Sequence, residues 1–209
     1  MSAPREGGTP VPFVLASASP SRRRLLEQAG VTPTVVVSGV DEESIEAALR
    51  NDPVPDVALA LARAKAEAVL PLAPAGALVL GCDSIFEVAG VRLGKPPTPE
   101  EALRRWQRVR GKAGTLHTGH LLIDTTTGTS AGETVSTTVE MVNADDEEIA
   151  DYIATGEPLQ VAGGFTLDGL GAPYVAGITG DPGKVIGVSL PAVRRLCQCL
   201  GRAWPDVRG

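Results

Sequence analysis

Ala77-Leu-Val-Leu-Gly-Cys-Asp83-Ser-Ile-Phe-Glu-Val88, followed by Val91-Arg-Leu-Gly-Lys95-Pro96, decides how this chain is read. An apolar run that ends abruptly in an acid reads as a buried strand delivering Asp83 to its carboxyl end, the edge at which open α/β sheets bind ligands. Ala89-Gly90 reads as a tight turn, and the strand after it carries Lys95 back toward Asp83 until Pro96 stops the ladder. One hairpin can then hold a carboxylate and an ammonium near a common site. The carboxylate can act as a general base or a metal ligand, and the lysine can hold phosphate. The competing reading is a solvated strand-end Asp and a hairpin Lys.

Upstream, Phe13-Val-Leu-Ala16 is a short strand, and Ser19 followed by Pro20 is the cap and first position of a helix to Ala29. That helix opens with Arg22, Arg23 and Arg24, the reverse of what the helix dipole favours, so local stability does not explain them. Ser17, Ser19, the free helix N–H groups and Arg22 together suit an anion cradle; arginines on a wet face would fit Arg23 better than Arg22. Thr34–Ser38 reads as a second strand running into Asp41-Glu42-Glu43, an acidic cluster that either binds a divalent cation or forms a surface turn. A long Ala- and Leu-rich helix from Pro55 to about Leu70 carries Lys65.

Downstream, Thr98-Pro99-Glu100-Glu101 begins a helix to about Gly111, and Leu116–Ile123 and Thr134–Val142 alternate as two strands. His117 and His120 have opposite parity on the first of these and do not chelate one metal together. Asp145–Ala154 is an acid-led helix. The glycine-dense segment Ala162–Gly171, with Gly164, Phe165 and Asp168, allows a ligand close backbone approach. Tyr174–Ile178 is a last strand and Pro191 starts a terminal helix. Gly183-Lys184 is not a P-loop, because the spacing is wrong and Val185 stands where Ser or Thr is needed.

At 209 residues the chain fits one large domain with an aliphatic core, since aromatic residues make up only 3%. A net charge of -6 argues against a general nucleic-acid or anionic-membrane binder and points to a small-molecule partner. Three cysteines, too few and badly placed for a disulfide framework, suit a reduced, cytoplasmic protein. Residues 1–12 read as a flexible leader.

Taken in order, Leu15-Ala-Ser17-Ala-Ser19-Pro20-Ser-Arg22, Asp41-Glu42, Ala64-Lys65-Ala66, Gly81-Cys-Asp83-Ser84, Gly94-Lys95-Pro96 and Ala162-Gly-Gly-Phe165 closely resemble the Maf family of nucleoside triphosphate pyrophosphatases. The resemblance spans roughly residues 13–200. It implies an α/β fold with a mixed, twisted central sheet and flanking helices, related to inosine triphosphate pyrophosphatases, with the cleft of residues 13–209 between two lobes. It further implies a cytoplasmic homodimer that uses Mg2+ or Mn2+ to hydrolyse nucleoside triphosphates, non-canonical or pyrimidine ones, to a monophosphate and diphosphate. By matching positions, Asp83 is the proton acceptor, with Lys65 and Lys95 also catalytic. Glu42 and Asp83 hold the metal, and Ser17, Ser19, Arg22, Lys95, Gly164, Phe165 and Asp168 contact substrate. Ser21, Val161 and Asp168 depart from the family pattern and bear on nucleotide preference. The alternative is a regulatory nucleotide sensor linked to septum formation, without turnover.

Overall fold

The computed structural model describes residues 10–209. Strands β1 (Phe13–Ala16), β2 (Pro33–Val35), β3 (Leu78–Val88), β4 (Val91–Leu93), β5 (Ala113–Asp124), β6 (Ser130–Met141) and β7 (Val175–Thr179) form one mixed sheet. Its order is β2-β1-β3-β5-β6-β7, with β4 attached to β3 off this path. β1 is parallel to both β2 and β3, whereas every other pairing is antiparallel. This is the mixed α/β sheet with flanking helices that the family resemblance implies.

The helices are α1 (Pro20–Gln28), α2 (Glu42–Ala48), α3 (Val54–Val69), α4 (Pro99–Val109), α5 (Asp146–Ala154), α6 (Pro182–Ile186), α7 (Leu190–Cys199) and α8 (Trp204–Val207). Their starts follow the chemistry of the first turn, where free N–H groups need acceptors. The Ser19, Thr98 and Ser189 side chains accept from the first turns of α1, α4 and α7, and Asp145 with Glu148 makes a complete capping box on α5.

Three expectations change. The acidic stretch at Asp41 is neither turn nor isolated cluster: Asp41 caps α2, and Glu42 and Glu43 are its first turn, where acids complement the dipole. The second strand ends at Val35, short of Ser38, because β1 offers it pairing only through Leu15. Of the leader expected over 1–12, residues 1–9 lie outside the described residues, while Val11 donates to the Asp206 carbonyl at 2.9 Å and the Pro12 carbonyl accepts from Leu78 at 2.9 Å.

Alternation along β3 sends Leu78, Leu80 and Cys82 to one face, where they meet Leu26 of α1, Val193 and Leu196 of α7 and Val207 of α8. Further along the same face, Phe86 and Val88 join Trp106 of α4 and Ile149 and Tyr152 of α5 in a second core. The opposite face packs Val79 against Ala66 and Val69 of α3, and Ile85 against Val57 and Leu61. The Ala89-Gly90 turn forms as expected: both residues have positive φ, 50° and 77°, the geometry that matches a two-residue hairpin to strand twist.

α3 lies unusually close to the sheet. A Cβ added to Gly81 would stand 2.0 Å from the Ala62 carbonyl oxygen, and one added to Gly119 would stand 2.2 Å from that of Ala58. Because the obstacle is helix backbone, Gly81→Ala should lift α3 and cost ~3 kcal/mol or more, read as a fall in the urea midpoint at unchanged m-value.

Candidate active site

β3 continues through Asp83 to Val88, so Asp83 lies in mid-strand rather than at a carboxyl end. The long partner β5 keeps the ladder going as far as Glu87↔Thr115. What does end is β1, whose last pair is Ala16↔Gly81; β4 takes up the same edge of β3 only at Phe86↔Leu93. Among the described residues no strand therefore lies beside Cys82, Asp83, Ser84 and Ile85 on that edge. The gap from Gly81 to Phe86 is roughly 17 Å long at about 3.3 Å per residue. It is the opening that the sequence placed at a strand end.

Successive residues of a strand face opposite ways, so Asp83 and Ser84 furnish the two sides of this gap. On the α3 side, the Lys65 ammonium donates to the Asp83 carboxylate and stands 2.8 Å from Oε1 of Glu42. Lys65 and Asp83 are 7% and 8% exposed, which puts the pair in a setting where an unpartnered charge costs several kcal/mol. Its stem runs beside the small side chains of α3, and its head is the cation that both acids share. Glu46, one helical turn past Glu42, belongs here too. Burial pushes its carboxyl up, and the charges of Asp83 and Glu42 push it further. Sequence reading missed Glu46; its signal was the i,i+4 spacing from Glu42 on a capped helix.

On the other side, Arg22 is buried and already committed. Its Nε donates to the Gly187 carbonyl at 2.9 Å, one Nη to Ser17 Oγ at 2.9 Å and the Cys82 carbonyl at 2.7 Å, and the other Nη to Ser84 Oγ at 3.0 Å. Four of five N–H groups are thus used within the protein, and one is left. Ser84 also bonds Thr118 Oγ1 at 3.0 Å. Ser19 Oγ caps α1 by accepting from the Arg22 amide at 3.4 Å, and its amide donates to Ser17 Oγ at 3.3 Å. Ser17, Ser19 and Arg22 are thus brought together, with Arg22 as the tie that holds them against β3.

Lys95 is exposed and makes no hydrogen bond or ion pair among the described residues. It lies two residues past Leu93, the end of β4, whose partner on β3 is Phe86. Gly164 and Phe165 are core residues: the Gly164 carbonyl accepts from Trp106 Nε1 at 2.9 Å, and the Phe165 ring packs edge-on to Phe86 with centroids 5.1 Å apart. They anchor the glycine-rich loop, and Gly163 donates to the Gly94 carbonyl at 3.3 Å, just before Lys95. Asp168 stands apart from these, paired with Arg24 and accepting from Ser21 Oγ at 3.3 Å. Two of the departures from the family pattern therefore touch each other.

A concavity of about 430 Å³ between α4 and α5, lined by Leu103, Ile153, Ala154 and Leu159, lies away from Asp83. Glu100 is the charged residue on its wall, which suits it poorly to an anion. His117 and His120 face opposite sides of β5 as expected: His117 meets Ser136 Oγ at 2.8 Å and Glu87 at 3.1 Å, and His120 Nε2 accepts from the Ser189 amide at 3.0 Å. Lys184 is fully buried in α6 with its ammonium on the Leu116 carbonyl, which no phosphate cradle would require.

Among the described residues no group of three His, Cys, Asp or Glu side chains could hold a metal alone. Glu42 and Asp83 nonetheless converge on one cation, Lys65, and two carboxylates with substrate oxygens completing the shell are the ordinary Mg2+ arrangement. The donor set fits a hard divalent cation bound together with a phosphate ligand.

A mid-sheet acid and buried lysine beside an open strand edge, flanked by a capped helix start, make an α/β site for an anionic ligand. The Maf-like protein family matches residues 12–200, and the chain belongs to it. It is 54% identical over 198 residues to a nucleoside triphosphate pyrophosphatase of Streptomyces coelicolor, covering 92% of this chain and 94% of that one. Proteins of the same name from Salinispora tropica and Thermosynechococcus vestitus are 51% and 50% identical, over 91% and 95% of this chain and 84% and 98% of theirs.

Burial pushes His120 down to about 4, with the nearby Arg22 charge in the same direction. The unfolded chain therefore takes up a proton that the folded one refuses, and stability falls as pH drops from about 6.5 through 4. The expected loss is about 3 kcal/mol, absent in His120→Gln, measured by denaturant titration across that window.

Proposed function

We propose that this chain is a nucleoside triphosphate pyrophosphatase that hydrolyses the α–β phosphoanhydride to a nucleoside monophosphate and diphosphate. The observation that carries the reading is the Lys65 ammonium held between Asp83 and Glu42 at the open edge of β3. The names of its relatives support the substrate class.

In this reading the triphosphate lies along the gap, with the Ser17–Ser19 turn and the start of α1 at one end and Lys95 at the other. Glu42 and Asp83 would hold a divalent cation, Mg2+ or Mn2+, which would supply positive charge at the phosphates. Asp83 accepts the proton of the attacking water, whose oxygen bonds to the α-phosphorus as the bond to the bridging oxygen breaks and diphosphate leaves. Lys65 and Lys95 offset the charge that grows on the phosphate oxygens. Arg22 holds Ser17 and Ser84 in place and keeps one N–H for the ligand. Asp168, Gly164 and Phe165 shape the glycine-rich side, with Asp168 and Ser21 bearing on nucleotide preference. The substrates are non-canonical or pyrimidine nucleotides, the cleft lies between the lobes flanking β3, and the chain acts as a cytoplasmic homodimer independent of nucleic acid and membrane. Three free thiols support a reducing compartment. Among the described residues no helix is long and apolar enough to cross a membrane.

Incubation with a panel of triphosphates and Mg2+ or Mn2+ should release pyrophosphate, and excess EDTA should abolish it. Orthophosphate as the first product, or full turnover in EDTA, would sink the assignment. Asp83→Asn keeps size and hydrogen bonding but removes the base and a metal ligand, so kcat should fall at least ~10²-fold while the protein still folds. Lys95→Ala should instead raise KM as well as lower kcat, because a lysine on phosphate contacts both the ground and transition states.

A further inference from the structure

α2 carries Glu42 and yet is poorly fastened. None of its residues is buried; among the described residues Ile45, with Leu49 at its C-cap, packs partly on the core of Val54, Val57, Leu61 and Ile85. Asp41 caps the helix by bonding Ser44, which holds the helix to itself and not to the protein body. Two polar ties reach across. At the amino end Glu42 meets Lys65 at 2.8 Å. At the carboxyl end Arg92 of β4 grips the chain: Nη1 and Nη2 donate to the Leu49 carbonyl at 3.1 and 3.2 Å, and Nη2 donates to the Asp52 carbonyl.

Leu49 is the C-cap of α2, its carbonyl also accepting from the Asp52 amide at 3.1 Å, so Arg92 pins the turn that ends the helix, where a guanidinium complements the dipole. Arg92 is itself fixed by the hairpin, opposite Glu87, two residues from Gly94. The tie at Glu42 uses Lys65, which a phosphate ligand would compete for, whereas the tie at Arg92 uses no residue of the site. It persists while the other is exchanged.

We propose that Arg92 is a positioning residue for the reaction: by clamping the carboxyl end of α2 to β4, it holds Glu42 in reach of Lys65 and Asp83. This rests on the role given to Glu42 above. Loss of the clamp leaves α2 hinged on two half-buried apolar side chains, and displacements near 1 Å at a site of this kind cost up to ~10²-fold in rate.

The test is a double-mutant cycle of Arg92→Met, which keeps the apolar stem, with Glu42→Gln. Steady-state pyrophosphate release is measured on whichever triphosphate the parent turns over fastest, with hydrogen exchange at the α2 amides alongside. Arg92→Met should lower kcat/KM by ~10–10²-fold and speed α2 exchange while Tm falls by only a few degrees, and its kinetic effect should vanish in the Glu42→Gln background. Arg92→Lys, which keeps the charge but not the fork, should recover part of the activity. If both single variants are impaired and their effects simply add, or if α2 exchange is unchanged by Arg92→Met, the positioning role is overturned while the site assignment stands. A Glu42→Gln protein as active as the parent would overturn the role of Glu42, and Arg92's action through it with it.

Discussion

The contact on which the site depends is one between backbones: α3 rests on β3 and β5 at Gly81 and Gly119, where no side chain intervenes. A helix seated on larger side chains would stand farther from the sheet and carry the Lys65 ammonium away from Asp83. Seated on glycine, α3 brings Lys65 down beside Asp83. The two glycines are thus a condition of the ion pair. They also explain the Ala-rich face of α3, because Ala62 and Ala66 are the residues that fit above Gly81.

Once Lys65 is there, the local charges follow. One ammonium, 7% exposed, has Asp83 and Glu42 around it and Glu46 close by, so the pocket is acidic, in keeping with a chain of net charge -6. The cationic side lies across the strand, where Arg22 is buried among Ser17, Cys82, Ser84 and Gly187. β3 is a partition with acids on one side and donors on the other, and the missing neighbour strand between Ala16 and Leu93 is the doorway through it.

How much of this was legible follows from the range of each interaction. The Ala89-Gly90 hairpin, the Ser19-Pro20 and Thr98-Pro99 helix starts and the opposed histidines are set within a few residues, and the sequence shows them. The apolar run ending in Asp83 suggests a strand end where the structure has mid-strand, because the length of β3 is decided by β5, more than thirty residues on. α2 went unseen since a run of acids reads equally as a turn, and only its cap distinguishes the two. The burial of Arg22 could not be read at all: its partner Gly187 is 165 residues away.

The Trp106 indole, hydrogen-bonded to the Gly164 carbonyl and edge-on to Tyr152 and Tyr174, has a consequence for optics. Trp204, the second of two tryptophans, is half-buried at the far end of the fold, so the blue-shifted part of the emission belongs to Trp106. Since its one polar bond is to the glycine-rich loop, the chain carries a native fluorophore wired to that segment, and its glow follows the loop without any label.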